Sequence, residues 1–304
     1  MTTPQTSRHF KYDRSIEEWE SWINDPERNK IALTWLKQEN TFDRWRHNRM
    51  YAQLSPFVEL NKDATWLTVG DGRYGTDANA LMRLGAQNVH SSDISDKLLK
   101  IGAQEGFINE YSVQNAEALS FDDGSFDYVL CKETYHHLPR PHIALHEMFR
   151  VAKKAVILIE PRDLRIDRAK YSWVLQILKK ILGRNLDGYG FEPVGNFVFS
   201  LSERECEKLL LGMNYQSIAF NGLDDVYEPG VEFLSLTSDS SVDKRRIFKL
   251  KTKLFLSNLL SKTGVRQTGL VCVAMFKDKP DSIVERSLNH YGWRLKSLPR
   301  NPFI

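Results

Sequence analysis

Three groups of residues in this chain have types and spacings that could do chemistry. The first is Gly70, Gly72 and Gly75, within Trp66-Leu67-Thr68-Val69-Gly70-Asp71-Gly72-Arg73-Tyr74-Gly75. Glycines after a short apolar run let the chain turn tightly and bring bare backbone against a ligand, and the N–H groups of a following helix favour polar or anionic atoms. The second is Asp93, 23 residues after Gly70. A carboxylate there suits the two hydroxyls of a ribose. The third is the pair His136-His137, with Glu133, Tyr135 and Glu160 nearby in sequence. Histidine titrates near neutrality and is the residue type expected of a general base. The first two groups fit any nucleoside-bearing cofactor.

These residues need elements to hold them, and the pattern supplies short apolar strands alternating with helical stretches. Strands are expected at Trp66 to Val69, Asn88 to Ser92, Glu110 to Gln114, Phe126 to Cys131 and Ala155 to Ile159. Helices are expected from Thr76 to Leu84, from Ser95 onwards, and from Pro141 to Val151. This is the signature of βαβ units and a parallel sheet. The all-apolar run at Ala155 to Ile159 belongs in its centre. Ser202-Glu203-Arg204-Glu205 is a capping box that starts a later helix. Two further strands are read at Tyr215 to Phe220 and Leu270 to Phe276.

Residues 1–61 read as helices, at Ile16 to Ile23, Ile31 to Leu36 and Trp45 to Leu54, with breaks near Pro26 and Asn40. The expected organisation is an N-terminal helical segment over 1–61 and a main domain over 62–277. That domain carries insertions at about 162–200 and 221–268, and a tail follows at 278–304. The N-terminal helices and the insertions are expected to cap the carboxyl edge of the sheet.

The segment Asn115-Ala116-Glu117-Ala118-Leu119-Ser120-Phe121-Asp122-Asp123-Gly124-Ser125-Phe126-Asp127-Tyr128-Val129 separates the cofactor candidates. Together with His136-His137-Leu138 and Ala144-Leu145-His146-Glu147-Met148-Phe149-Arg150-Val151, it resembles the class I S-adenosylmethionine-dependent methyltransferases. The likeness covers about residues 62–220 and the strand at 270–276. It implies a Rossmann-like α/β fold, with a seven-stranded mostly parallel sheet and helices on both faces. It also implies S-adenosylmethionine as cofactor, and adenine held at Asn115 and Ala116. The cofactor contacts expected on this reading are Val69, Gly70, Asp71, Gly72, Gly75, Asp93, Ile94, Asn115, Ala116, Glu117 and Lys132. The catalytic candidates are His136, His137 and Glu133. Two departures stand out: Thr68 where the family often has an acid, and Tyr74 where it often has a third glycine. They imply differently arranged cofactor contacts.

The expected reaction is methyl transfer to an oxygen or nitrogen of a small-molecule or saccharide acceptor, surface-glycan and lipid-linked acceptors included. A nicotinamide-dependent oxidoreductase also fits the glycines and Asp93, but the 115–129 segment speaks against it. A non-catalytic subunit that keeps the fold is the other alternative, left open by Thr68 and Tyr74.

Composition bounds the rest. A formal charge of +3 over 304 residues does not provide the concentrated basic face that nucleic acid demands. Cys131, Cys206 and Cys272 lie far apart with no CxxC spacing, and no His/Asp/Glu cluster has ligand spacing, so no metal is expected. No stretch of about 18 apolar residues offers a membrane span, and a cytoplasmic protein of biosynthetic role is expected. Trp173 to Leu182 reads as an amphipathic helix. The basic run Lys244-Arg245-Arg246 through Lys249, Lys251 and Lys253 is less cleanly segregated, and its expected role is a cap helix. Peripheral membrane contact and a homo-oligomer stay open.

Overall fold

The computed structural model describes residues 12–37, 40–173, 177, 190–192 and 196–303. Among these, eight strands form one sheet: β1 (Thr65–Val69), β2 (Asn88–Asp93), β3 (Glu110–Val113), β4 (Phe126–Lys132), β5 (Ala152–Pro161), β6 (Ser217–Leu223), β7 (Leu270–Phe276) and β8 (Arg294–Ser297). Their order is β3-β2-β1-β4-β5-β7-β6-β8. The first five run parallel, and β7, β6 and β8 follow in antiparallel pairings. The expected seven-stranded sheet thus gains an eighth strand, contributed by the tail.

Parallel strands need crossover connections, and the chain makes them with helices on both faces. These are α5 (Thr76–Leu84), α6 (Lys97–Gln104), α7 (Pro141–Val151) and α8 (Glu203–Gly212), preceded by α1 (Asp13–Asn24), α2 (Pro26–Lys37), α3 (Phe42–Tyr51) and the short α4 (Ser55–Val58). Pro26 opens α2, where its missing N–H costs nothing. The Ser202 side chain accepts from the Glu205 N–H and caps α8. The insertion after β6 contains a 22-residue helix, α9 (Ser241–Lys262), and the tail adds α10 (Ser282–His290) before β8.

β5 and β7 sit at the centre and are buried almost throughout. One apolar layer lies on each face of the sheet. The first is built around Trp66, Leu130, Ile157 and Phe57, and the second around Val129, Val156, Leu145 and Val273. Cys131, Cys206 and Cys272 are free thiols within this core. Two smaller clusters fix the cap: Trp35 and Tyr74 beside α2, and Phe42 with Leu250 and Leu254 beside α9. Most of the amphipathic stretch expected at 173–182 lies outside the described residues.

Candidate cofactor cleft and its polar wall

β1 ends at Val69, and the chain turns at Gly70 with φ +77°. The N–H groups of Gly70 and Asp71 both donate to the Ser92 carbonyl, at 2.9 and 3.0 Å, which locks the turn to the end of β2. A Cβ on Gly70 would lie 2.0 Å from Thr134, and one on Gly72 would lie 2.9 Å from the Asp93 carboxylate. No side chain fits at either place. Gly75, also at positive φ, packs on Ile108.

Asp93 is buried at the tip of β2. Burial pushes its carboxyl up to about 6, although the N–H groups of Ser95, Ile94 and Gly72 favour the ionised form. A cleft of about 280 Å³ opens beside it. Its walls include Val69, Gly70, Asp93, Ile94, Asn115 and Ala116. These six were expected from sequence as cofactor contacts, and the structure brings them together. Gln114 and Thr134 complete that wall and were not foreseen. Gln114 continues β3 and is tied to Ser120, while the Thr134 hydroxyl donates to the Gly70 carbonyl at 2.9 Å.

The opposite wall comes from the N-terminal segment, which was expected to cap this edge, although none of its residues was singled out. α1 lays Tyr12, Ser15, Glu18, Trp19 and Trp22 along the cleft. The Tyr12 hydroxyl donates to Glu117, which also accepts from the backbone N–H and guanidinium of Arg140. Glu117 therefore staples α1 to the turn before α7 and does not line the cleft. A carboxylate that already accepts three bonds has little capacity left for a ligand.

Asp71, Gly72, Gly75 and Lys132 likewise stand behind the wall. The Asp71 carboxylate accepts from the Thr68 and Ser91 hydroxyls at 2.8 and 3.0 Å, and from the N–H groups of Asp77 and Ala78 at 2.9 Å each. The carboxylate that this turn lacks at position 68 is thus supplied from position 71. Burial and the charge of Asp77 hold the Asp71 carboxyl well above its ordinary range. Tyr74, at the place of the third glycine, takes φ +60° and buries its ring with Trp35 and Leu98. The turn is thereby bolted to α2.

Lys132 is buried in an ion-pair chain, 2.9 Å from Glu133 and 3.7 Å from Asp77. Tyr51 donates to Asp77 at 2.6 Å. Glu133 faces His47 at 3.6 Å, and His47 faces Asp43 at 3.7 Å. Arg46 pairs with Asp43 at 2.6 Å and with Asp225. Against its burial, the charge and hydrogen bond of Lys132, with the charge of Arg73, hold the Glu133 carboxyl far below the usual range. A base so strongly held in its ionised form is a weak one. Burial, then Lys132, lowers His47. Glu133 also adopts φ +50°, a left-handed conformation that only a well-determined surrounding sustains.

The two histidines have separate fates. His136 is buried, with Nδ1 2.6 Å from Glu160. Burial pulls its pKa down, but the charge and hydrogen bond of Glu160 win and leave it above the ordinary value. Glu160, 0% exposed, also accepts from the N–H groups of Thr134 and Tyr135. This pair pins the loop after β4. His137 stands at the cleft mouth, its ring centroid 3.8 Å from that of His136 and its Nδ1 on Glu192. Burial and neighbouring His136 lower its pKa from the ordinary value, against the pull of Glu192. Arg73 lines both this cleft and an enclosed cavity of about 20 Å³ behind it, which has room for one water among Asp43, Arg44, His47 and Tyr51. Among the described residues no group of three or more His, Cys, Asp or Glu could hold a metal ion.

This architecture is an α/β domain with a cleft at the carboxyl ends of β1 to β4. Residues 67–159 match the family model described as "Methyltransferase domain". The match runs from within β1 to within β5, so methyltransferase-domain sequence spans the strands that carry the cleft. No curated protein sequence matches the chain. Among solved structures it is similar to magnesium protoporphyrin IX methyltransferase of Synechocystis, solved with S-adenosylhomocysteine bound. Identity there is 20%, covering 65% of this chain and 88% of that one, with a TM-score of 0.46. It is also similar to the YcgJ protein of Bacillus subtilis, at 19% identity over 77% and 99% of the two chains (TM-score 0.47). A third likeness is to the [4+2]-cyclase SpnF, at 15% identity over 77% and 81% (TM-score 0.49).

Proposed function

We propose that the protein transfers the methyl group of S-adenosylmethionine to an oxygen or nitrogen of a small-molecule or saccharide acceptor. The observation that carries the cofactor assignment is the conjunction in one cleft of Asp93 with the side-chain-free turn at Gly70. Asp93 accepts the two ribose hydroxyls, and Ile94, Ala116 and Leu138 offer an apolar slot for adenine, with Asn115 at its edge. Gly70 and Thr134 leave room for the methionyl part. When bound, this cofactor supplies an activated methyl on a positively charged sulfur, so the protein's own work is alignment, exclusion of water and removal of a proton.

For that proton, His137 is the base and Glu192 its positioning partner. Nδ1 of the ring is fixed on the carboxylate, and His137 lines the cleft in which a hydroxyl or amine would arrive. His136 and Glu160 hold the loop that presents it. The aromatic rim of Trp19 and Trp22 suits the faces of a sugar or another flat acceptor.

Calorimetric titration with S-adenosylmethionine and S-adenosylhomocysteine, with NADH and Asp93→Ala as controls, tests the assignment. Micromolar binding that the variant loses, with no heat from NADH, is the expected result. Absence of binding by both adenosyl ligands would sink it, and binding of NADH would replace it with hydride chemistry.

A further inference from the structure

α9 is apolar on two opposite faces. At about 100° per residue, Leu250 and Leu254 fall on one side, where they pack with Phe42, Val226 and Leu234 of the cap. Phe248, Phe255, Leu256 and Leu259 fall on the other, and among the described residues they stay largely exposed. Phe248 is 74% and Phe255 65% exposed. Large aromatic side chains left in water on one stripe mark a contact surface.

The charges around the stripe say what kind. α9 carries seven lysines and arginines against one aspartate. Lys244, Lys251 and Lys262 flank the stripe on one side, Lys249 and Lys253 on the other. Of its cations, Lys244 and Lys253 reach acids, at 3.3 and 3.5 Å, in pairs too exposed to hold them. Just past the helix, the Gly264 carbonyl accepts from the N–H of Tyr171, and the Tyr171 and Trp173 rings are themselves exposed.

We propose that this face of α9 docks the protein on an anionic phospholipid bilayer, with the helix lying in the interface plane. Phe248, Phe255 and Leu259 enter the acyl boundary and the flanking lysines meet the headgroups. A second copy of the chain would bring like charges together, and a phosphate backbone would leave the aromatic stripe in water. Among the described residues no helix is long and apolar enough to cross a membrane, so the contact is peripheral. Because α9 packs on α3, docking turns the cap toward the lipid. It does not depend on the methyl-transfer reading.

The test is co-sedimentation of the full chain with vesicles of phosphatidylcholine alone and of phosphatidylcholine with phosphatidylglycerol, at low and high salt. Binding to the anionic vesicles only, weakened by salt, is expected. Phe248→Ser/Phe255→Ser should lose about tenfold in partitioning, and Lys249→Glu/Lys253→Glu should lose a similar amount. Both variants change exposed residues and should melt with the wild type. Equal binding to neutral vesicles, no binding to either, or unaltered binding by the phenylalanine variant would overturn the proposal. So would a wild-type dimer that this variant splits and vesicles leave untouched.

Discussion

The two walls of the cleft are built on opposite principles. The sheet wall, from Gly70 to Ala116, uses local geometry. A turn without side chains, a strand tip and a short loop each place one backbone or carboxylate group, and neighbours in sequence are neighbours in space. The cap side, from α1 to α3 with the segment around Asp225, uses long-range charge. Tyr12 reaches Glu117, His47 faces Glu133, and Arg46 bridges Asp43 and Asp225. The first wall can recognise a cofactor shared by many proteins. The second joins segments far apart in sequence, and on the proposed reading it is the wall that meets the acceptor.

Substitutions should therefore separate the walls, and the largest effect belongs to the buried charges. Lys132→Met leaves Asp77 and Glu133 without their cation and should cost about 4 kcal/mol of unfolding free energy, read by denaturant titration. A loss under about 1 kcal/mol would mean that the network is dispensable. Tyr74→Gly removes a left-handed strain but empties the packing against Trp35 and Leu98. It should cost about 3 kcal/mol and expose α2 to amide exchange before the sheet. Uniform exchange would show that the cap is not held through this ring.

Asp93→Asn should act on the cofactor alone, weakening adenosyl-ligand binding by about 2 kcal/mol with an unchanged or slightly higher melting temperature. A fall in melting temperature would make Asp93 a structural residue. The same carboxyl gives a pH prediction with opposite signs for ligand and apoprotein. Held up to about 6, it must be ionised to accept two hydroxyls, so affinity should drop toward tenfold per pH unit below 6. The unliganded protein should gain stability over that range, because the buried charge disappears. Affinity that is flat from pH 7 to pH 5 would contradict the ribose assignment.

The smallest effect is expected at His136. Its pKa is raised in the fold, so its pairing with Glu160 stabilises fully below the ordinary value of 6.5 and fades as pH rises through the folded value. The melting gap between wild type and His136→Asn should be widest near pH 6 and narrow in mild alkali. A gap independent of pH would show that the ring matters only for its shape.

Legibility from sequence follows the same division. β7 is found at the expected Leu270 to Phe276, and α5 at the expected Thr76 to Leu84, because strong periodicity and a glycine at each helix end fix them locally. β6 lies two to three residues later than expected, at Ser217–Leu223, where pairing with β7 decides the register. β8 was missed because Arg294–Ser297 offers one apolar residue, Leu295, in a four-residue edge strand. α1 was read as a helix, but its place on the cleft depends on a contact between residues 12 and 117, which no local pattern encodes. Glu117 and Lys132 were assigned to the cofactor because they border its motifs. Their partners Arg140, Tyr12, Asp77 and Glu133 claim them first.

None of the residues of α1 is fully buried, yet five residues of the N-terminal segment wall the cleft. A helix that buries so little is cheap to lift, while a ligand beneath it cannot leave without lifting it. On the proposed reading, cofactor residence time then depends on α1 as well as on Asp93. Turnover would be paced by how often residues 12 to 24 come away from the cleft, and exchange of spent for fresh cofactor becomes a measure of that opening.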